Sequence, residues 1–458
     1  MIENDAFKLL LINLFHLNPD DIANIFCTTF NKMMVLIVTL ADKHQACPYC
    51  GFTAPKIKEY VTKEITHSAL TTQKCIIKYR ARRYKCPCCG KTYYEFNPFV
   101  FKSQKISILT VHNILKDLKD FNETFTSIAR RYHVSPTSVS TIFDNHVDIG
   151  RNPLPEIINF DEVYAFKSEK SKYVCVLLDF KKQIPVDVLP NRKKEYLLNY
   201  FQKIPLEERK KVKYACSDMY EVYRDVVHKV FPCSCMLLDY FHLSQDFHRK
   251  MNEVRIKVMK GYKDDKASDE YYLLKKFNWL LFKNPEDEDK YGRLFDVERE
   301  RKYNSHFKSY MNYYDLRRKL LEINNDLTIC YSLKLELVDF YSKSTIDNAQ
   351  VNLEHLIRNC IDTNIEEMIA FSNNLINWKQ EIINSFTIVG TEYKVEADKG
   401  QVVVCNKKVN NAIIENRNKI IKCIKNNANG YTNWSRFRNR VMYVLDPNTT
   451  FSLEPREK

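Results

Sequence analysis

The sequence predicts a multidomain α+β protein, and three patterns carry that prediction. Two Cys-X-X-Cys-Gly knuckles lie near the start, Cys47-Pro-Tyr-Cys50-Gly51 and Cys86-Pro-Cys-Cys89-Gly90. A helical segment with a turn inside it follows at 125–143. Between 157 and 238 the pattern runs three strands, helix, strand, helix, strand, the order of an RNase H-like α/β domain. With 458 residues and 45% hydrophobic content, the chain can build about two to four cores.

Residues 1–100 read as a ribbon domain. A helix is expected from Asp5 to about Leu17, then a helical turn after Asp20 and a strand at Val35–Leu40. Two thiolates two residues apart can grip one zinc ion, and a second such pair closes the tetrahedron. Glycine after each knuckle permits the tight turn. Cys47, Cys50, Cys86 and Cys89 are the expected ligands, with Cys88 able to replace Cys89. The competing reading is a set of buried or redox cysteines. A closed four-thiolate site leaves no open position, so this zinc would be structural. The stretch Cys75–Tyr84 alternates apolar and basic residues like a half-exposed strand. Its Arg80, Arg82 and Arg83 set charge where phosphates could be met.

Residues 101–150 read as a helix-turn-helix DNA-binding domain. A first helix spans Ile108–Leu118. In the motif, Ala129 is small at the helix crossing, and Ser135 can cap a helix that opens on Pro136. Val139, Ile142 and Phe143 have core spacing, which leaves Thr137, Ser138, Ser140 and Thr141 for a DNA groove. A purely structural helical hairpin is the plainer alternative. Asn152–Pro155 reads as a linker. Residues 151–242 form the first part of the RNase H-like catalytic core. Residues 243–400 turn charged and mainly helical, an insertion. Residues 401–458 complete the core with a helix near Asn411–Lys425 and then a basic aromatic tail.

Phosphodiester cleavage by two metals needs carboxylates that converge from separate elements and hold ions about 4 Å apart. Asp161 sits on the first strand and Asp218 ends the fourth. Each alone is more commonly a cap or a turn residue. Glu415 lies on the late helix, whose apolar face is Ile413, Ile414, Ile420, Ile421 and Ile424. Arg417 and Lys422 lie nearby for a DNA strand.

These residues carry a resemblance over nearly the whole chain. It resembles the ISL-three-type insertion-sequence transposases, in the knuckles, the helix-turn-helix, Asp161-Glu162, Ser217–Tyr220, Asp239–His242, Asn411–Glu415 and Phe437-Arg438. The resemblance implies a DDE triad of Asp161, Asp218 and Glu415, with Asp239 and His242 as accessory residues. Where that family usually has glycine after the glutamate, this chain has Asn416. The implied activity is metal-dependent DNA strand cleavage and strand transfer at terminal inverted repeats, with two Mg²⁺ or Mn²⁺ ions. A non-catalytic DNA-binding regulator descended from such an enzyme is the alternative.

Charge agrees with a polyanionic partner: Lys+Arg number 71 against 57 Asp+Glu, a net +14. The 15 cysteines are odd in number and scattered, which argues for a reducing compartment rather than a disulfide framework. No apolar run is long enough to span a bilayer. The expected setting is the bacterial cytoplasm, on the nucleoid, with double-stranded DNA as partner and a homo-oligomer as the working state.

Overall fold

The computed structural model describes residues 2–43, 45–68, 72–101, 104–166, 171–395 and 402–456. Helix α1 (Ile2–Leu14) buries Leu11 and Ile12 against a sheet of β1 (Ile22–Phe30), β2 (Met33–Leu40), β3 (Lys56–Thr66), β4 (Cys75–Lys85) and β5 (Thr92–Tyr94). The order is β1-β2-β4-β3, with β5 on β4. Strands β1, β3 and β5 are new relative to the sequence reading. Ile22–Phe30 pairs antiparallel with Met33–Leu40 through a turn at Asn31 and Lys32, both at positive φ. Only Ile22 and Ile25 of β1 are buried, so the period-two signal is faint.

Helices α2 (Ile108–Asp117), α3 (Phe125–Arg131) and α4 (Pro136–His146) follow. The Ser135 hydroxyl accepts the Ser138 N–H at 3.0 Å, and Pro136 occupies the first helical position. Val139, Ile142 and Phe143 are buried, as their spacing predicts. Ser140 is buried too and bonds to the Thr137 carbonyl, so it leaves the groove-facing set proposed from sequence.

The second sheet is built from β6 (Ile157–Val163), β7 (Val174–Asp179), β8 (Pro185–Leu189), β9 (Tyr214–Ser217) and β10 (Cys235–Leu238) in the order β10-β9-β6-β7-β8. Strands β6, β7 and β8 are antiparallel neighbours, and β9 and β10 run parallel to β6. Both faces are covered. Ile158, Phe160 and Leu177 pack on α5 (Lys194–Gln202) and α7 (Glu221–Val230), beyond the short α6 (Leu206–Arg209). Val163, Val176 and Val188 face the other side. Burial on both faces makes such strands read as continuous apolar runs.

After β10 come α8 (Tyr240–Lys260) and α9 (Asp269–Lys276), then the short hairpins β11 (Glu288–Asp289) with β12 (Gly292–Arg293) and β13 (Lys302–Asn304) with β14 (Ser309–Met311). Next are α10 (Tyr313–Glu322), α11 (Asn325–Lys343), α12 (Ala349–Asp362), α13 (Glu366–Asn377) and α14 (Lys379–Asn384). These helices share a core of their own. The expected helical stretch to residue 400 stops at Asn384. A hairpin, β15 (Ile388–Val395) and β16 (Val402–Lys408), takes its place. Its β-branched residues favour a strand over a helix.

The chain ends on α15 (Ala412–Asn427) and α16 (Trp434–Leu445). The sequence reading made the last segment a basic tail, and the structure corrects this. Phe437, Val441 and Tyr443 of α16 are buried between α2–α4 and the second sheet. The arginines of α16 turn to partners inside the protein. Arg436 pairs with Asp144 and Arg438 with Asp187, both at 2.6 Å. Arg440 donates to the carbonyls of Asp120 and Glu123, each at 2.8 Å. Among the described residues no helix is long and apolar enough to cross a membrane.

Candidate active site and metal centres

Parallel pairing sets three aspartates side by side. Asn159 pairs with Cys216 on β9, and Ser217 with Leu238 on β10. Asp161 and Asp218 each lie two residues beyond the first pair, and Asp218 and Asp239 each one residue beyond the second. All three therefore stand at the same end of adjacent strands. The Asp239 N–H donates to the Ser217 carbonyl at 3.1 Å, which holds the strand tips together.

Two helices bring the rest. His242 lies in the first turn of α8, and its Nε2 is 3.8 Å from Asp239 Oδ2. Glu415 lies in the first turn of α15, with Oε1 3.9 Å from the same nitrogen. One ligand atom from each of Asp239, His242 and Glu415 falls within 4.8 Å of the others, a group able to hold a cation. Helix α15 is pinned to β6. Asn159 donates to Asn410 O at 2.8 Å and to Asn411 Oδ1 at 2.7 Å. About two turns on, Asn418 Nδ2 donates to Asp161 Oδ2 at 2.8 Å.

The electrostatics are those of a site short of positive charge. Burial pushes the Asp161 carboxyl up to about 7, and the Asp218 and Glu162 charges add to this. Burial likewise raises Asp218, Asp239 and Glu162. Asp218 Oδ1, Asp239 Oδ2 and His242 Nε2 are buried and have no hydrogen-bond partner among the described residues. Unmatched oxygens and an imidazole nitrogen at one place are a donor set that suits a divalent cation. The sequence reading grouped Asp161, Asp218 and Glu415 and left Asp239 and His242 as accessories. The group that the structure brings together here is Asp239, His242 and Glu415, with Asp161 and Asp218 on the neighbouring strand tips.

The cysteines form a second centre. Cys47 and Cys89 sulfurs are 3.7 Å apart, and those of Cys50 and Cys86 are 3.5 Å apart. Zn–S bonds of about 2.3 Å in a tetrahedron place sulfurs about 3.8 Å apart, so the four fit one ion. Cys88 is exposed and lies outside the group. The two knuckles share one turn. Gly51 N–H donates to Cys47 O and Gly90 N–H to Cys86 O, both at 2.9 Å, with both glycines at positive φ. Backbone N–H groups of Cys89 and Cys88 face the Cys86 sulfur and hold its thiol down at about 7.

The other residues singled out from sequence lie apart from these centres. Thr137 and Thr141 are exposed on α4, and the Ser138 hydroxyl rests 2.8 Å from that of Ser135. Arg80 is exposed and lies over the Tyr60 ring, and Arg83 pairs with Glu59. Arg82 is turned inward to the buried Glu95 and to the carbonyls of Leu40 and Ala41. Arg417 donates to Gln183 O, and Lys422 is exposed. Sequence reasoning gave no role to Asn418, although it sits three residues after Glu415 on the same helix face. It also missed Arg192, which pairs with Glu162 from a loop that carries no sequence pattern.

Two comparisons bear on this geometry. A family model described as "Transposase", for the DDE domain of the ISL-three type, matches residues 158–397. That span takes in Asp161, Asp218, Asp239 and His242 and ends before Glu415. The chain is also 19% identical, over 409 residues, to the transposase for insertion sequence element IS1001 of Bordetella parapertussis. The match covers 89% of this chain and 90% of that protein. With more than half its length matched and acidic strand tips in the matched region, this chain belongs to the ISL-three-type transposase family.

Proposed function

We propose that this transposase binds the terminal inverted repeats of its insertion sequence, cleaves DNA strands there and joins the freed 3′ ends to target DNA. The observation that carries the proposal is the cluster of Asp239, His242 and Glu415 beside the strand-tip Asp161 and Asp218, in which ligand atoms of Asp218, Asp239 and His242 have no partner among the described residues. The strand order β10-β9-β6-β7-β8 supports an RNase H-like reading of the core. Asp161, Asp218 and Glu415 would hold the catalytic Mg²⁺ or Mn²⁺ ions, with Asp239 and His242 alongside Glu415. When bound, the ions activate the attacking hydroxyl and stabilise the leaving oxygen. The protein's part is to hold five side chains in place from three strand tips and two helices, so little rearrangement accompanies the reaction.

The four-cysteine centre holds one structural zinc in this reading. Helix α4 reads bases through Thr137, Ser138 and Thr141. Arg80, Arg83, Arg417 and Lys422 meet phosphates, and Arg82 braces the ribbon. The enzyme works on the nucleoid as a homo-oligomer, since two DNA ends must meet.

The test is cleavage of a labelled inverted-repeat duplex with Mg²⁺. Wild type should cut, and Asp161→Asn, Asp218→Asn and Glu415→Gln should not, with folding and end binding intact. A cap or surface role would leave Asp218→Asn or Glu415→Gln active, because asparagine caps a helix as well as aspartate does. Near-normal cutting by any one variant removes that residue from the proposed triad.

A further inference from the structure

Arg192 stands in the loop between β8 and α5. Its Nη1 donates to Glu162 Oε1. Its guanidinium lies over two rings, 4.6 Å from the Tyr173 centroid and 4.8 Å from that of Tyr220. Glu162 is itself held by the Tyr223 hydroxyl at 3.2 Å. A guanidinium held by two aromatic rings and at one corner has already lost much of its rotamer freedom. Yet it carries five N–H donors, and among the described residues only Nη1 has an acceptor. The side chain is 27% exposed, so its open edge is reachable. Its neighbours are the acids of the strand tips, and its positive charge opposes the rise of both Glu162 and Asp218.

Acids grouped this closely repel a DNA backbone, and one fixed cation at their edge offsets that repulsion. We propose that Arg192 is a phosphate clamp, its open N–H edge binding a nonbridging oxygen of the phosphate next to the scissile one. The inference rests on the DNA-cutting reading above. Its rival is that Arg192 only neutralises Glu162.

The experiment uses the full-length protein and inverted-repeat duplexes, each with one neutral methylphosphonate near the cut. Affinity is measured with Ca²⁺ in place of Mg²⁺, so the readout does not depend on cleavage. At one position beside the cut, the neutral linkage should weaken wild-type binding about tenfold or more. It should cost Arg192→Ala nothing further, and Arg192→Lys should fall between. The double variant Glu162→Gln, Arg192→Ala keeps the pair uncharged and should remain insensitive at that position. Equal sensitivity of wild type and Arg192→Ala, no sensitive position in wild type, or sensitivity restored in the double variant would each overturn the clamp. Failure of wild type to cut unmodified duplex with Mg²⁺ would instead count against the DNA-cutting reading.

Discussion

Asn418 shows how a residue without reactive chemistry can govern a site. Its amide fixes Asp161 Oδ2 at 2.8 Å, while its own Oδ1 is buried and has no partner among the described residues. Asn418→Ala should leave zinc content and end binding unchanged and lower the cleavage rate about tenfold or more, as loss of an orienting bond to a ligand does. Rates measured at saturating DNA would check this. Lys334, on α11, is a buried cation. It is 1% exposed, donates to the Lys283 carbonyl, and burial lowers its amine from 10.5 to about 8. The unfolded chain holds this proton more tightly than the folded one. Its contribution to stability should therefore be flat below pH 8 and rise from about pH 8 to 10.5. The rise is bounded at about 3 kcal/mol. The difference in unfolding free energy between wild type and Lys334→Met, measured from pH 7 to 11, isolates it. A difference that stays constant over that range would refute the assignment.

Among the elements, the paired knuckles make the sharpest claim. Zinc analysis of purified protein should give about one ion per chain. Cys88→Ser should keep it, because Cys88 is exposed outside the sulfur group, and Cys89→Ser should lose it. Loss from the Cys88 variant alone would reverse the ligand assignment. Chelation should unfold the knuckles and leave the second sheet intact, since the knuckle cluster (Cys47, Tyr84, Cys86 and Tyr93) shares no residue with the cores around that sheet. Helix α16 shows the opposite dependence. Its apolar residues complete a core begun by residues some 300 positions earlier: Tyr443 packs against Phe143, and its hydroxyl donates to Leu115 O.

For the whole molecule, one shared core links α2–α4, the helices proposed to read DNA, to the sheet that carries the acidic strand tips. Val111, Ile128 and Phe143 of α2–α4 lie in one cluster with Val176 of the sheet, Ile421 of α15 and Phe437 of α16. The ribbon is joined to the same helices by buried polar bonds. His67 bonds to Ser107 and to Phe15 O, and the Ser68 hydroxyl donates to Tyr132 O at 2.8 Å. A fragment of residues 1–150 therefore lacks the partners of its own helices. Expressed alone, it should unfold at a lower temperature and less cooperatively than the full chain, and it should bind inverted repeats weakly. Calorimetry and end-binding titrations would test this. A fragment with full affinity would show the N-terminal half to be autonomous.

The local features were legible because each depends on neighbours in sequence. Proline and glycine mark the knuckles, Ser135 with Pro136 opens α4, and residues 174–178 are apolar throughout because that strand is buried on both faces. The limits of α7 and β10 follow from the same local rules. What depends on distant residues was not legible. A basic, aromatic stretch reads as a tail until Asp144 and Asp187 are found beside its arginines. Arg82 reads as a DNA contact until the buried Glu95 claims it. The strand-tip acids are separate signals in the sequence, and the parallel register of β6, β9 and β10 makes them neighbours. Composition and spacing determined the parts, since propensity and capping act over a few residues. Only tertiary packing decided which charges stay exposed and which face each other, because a buried charge is stable only where another chain segment supplies its partner.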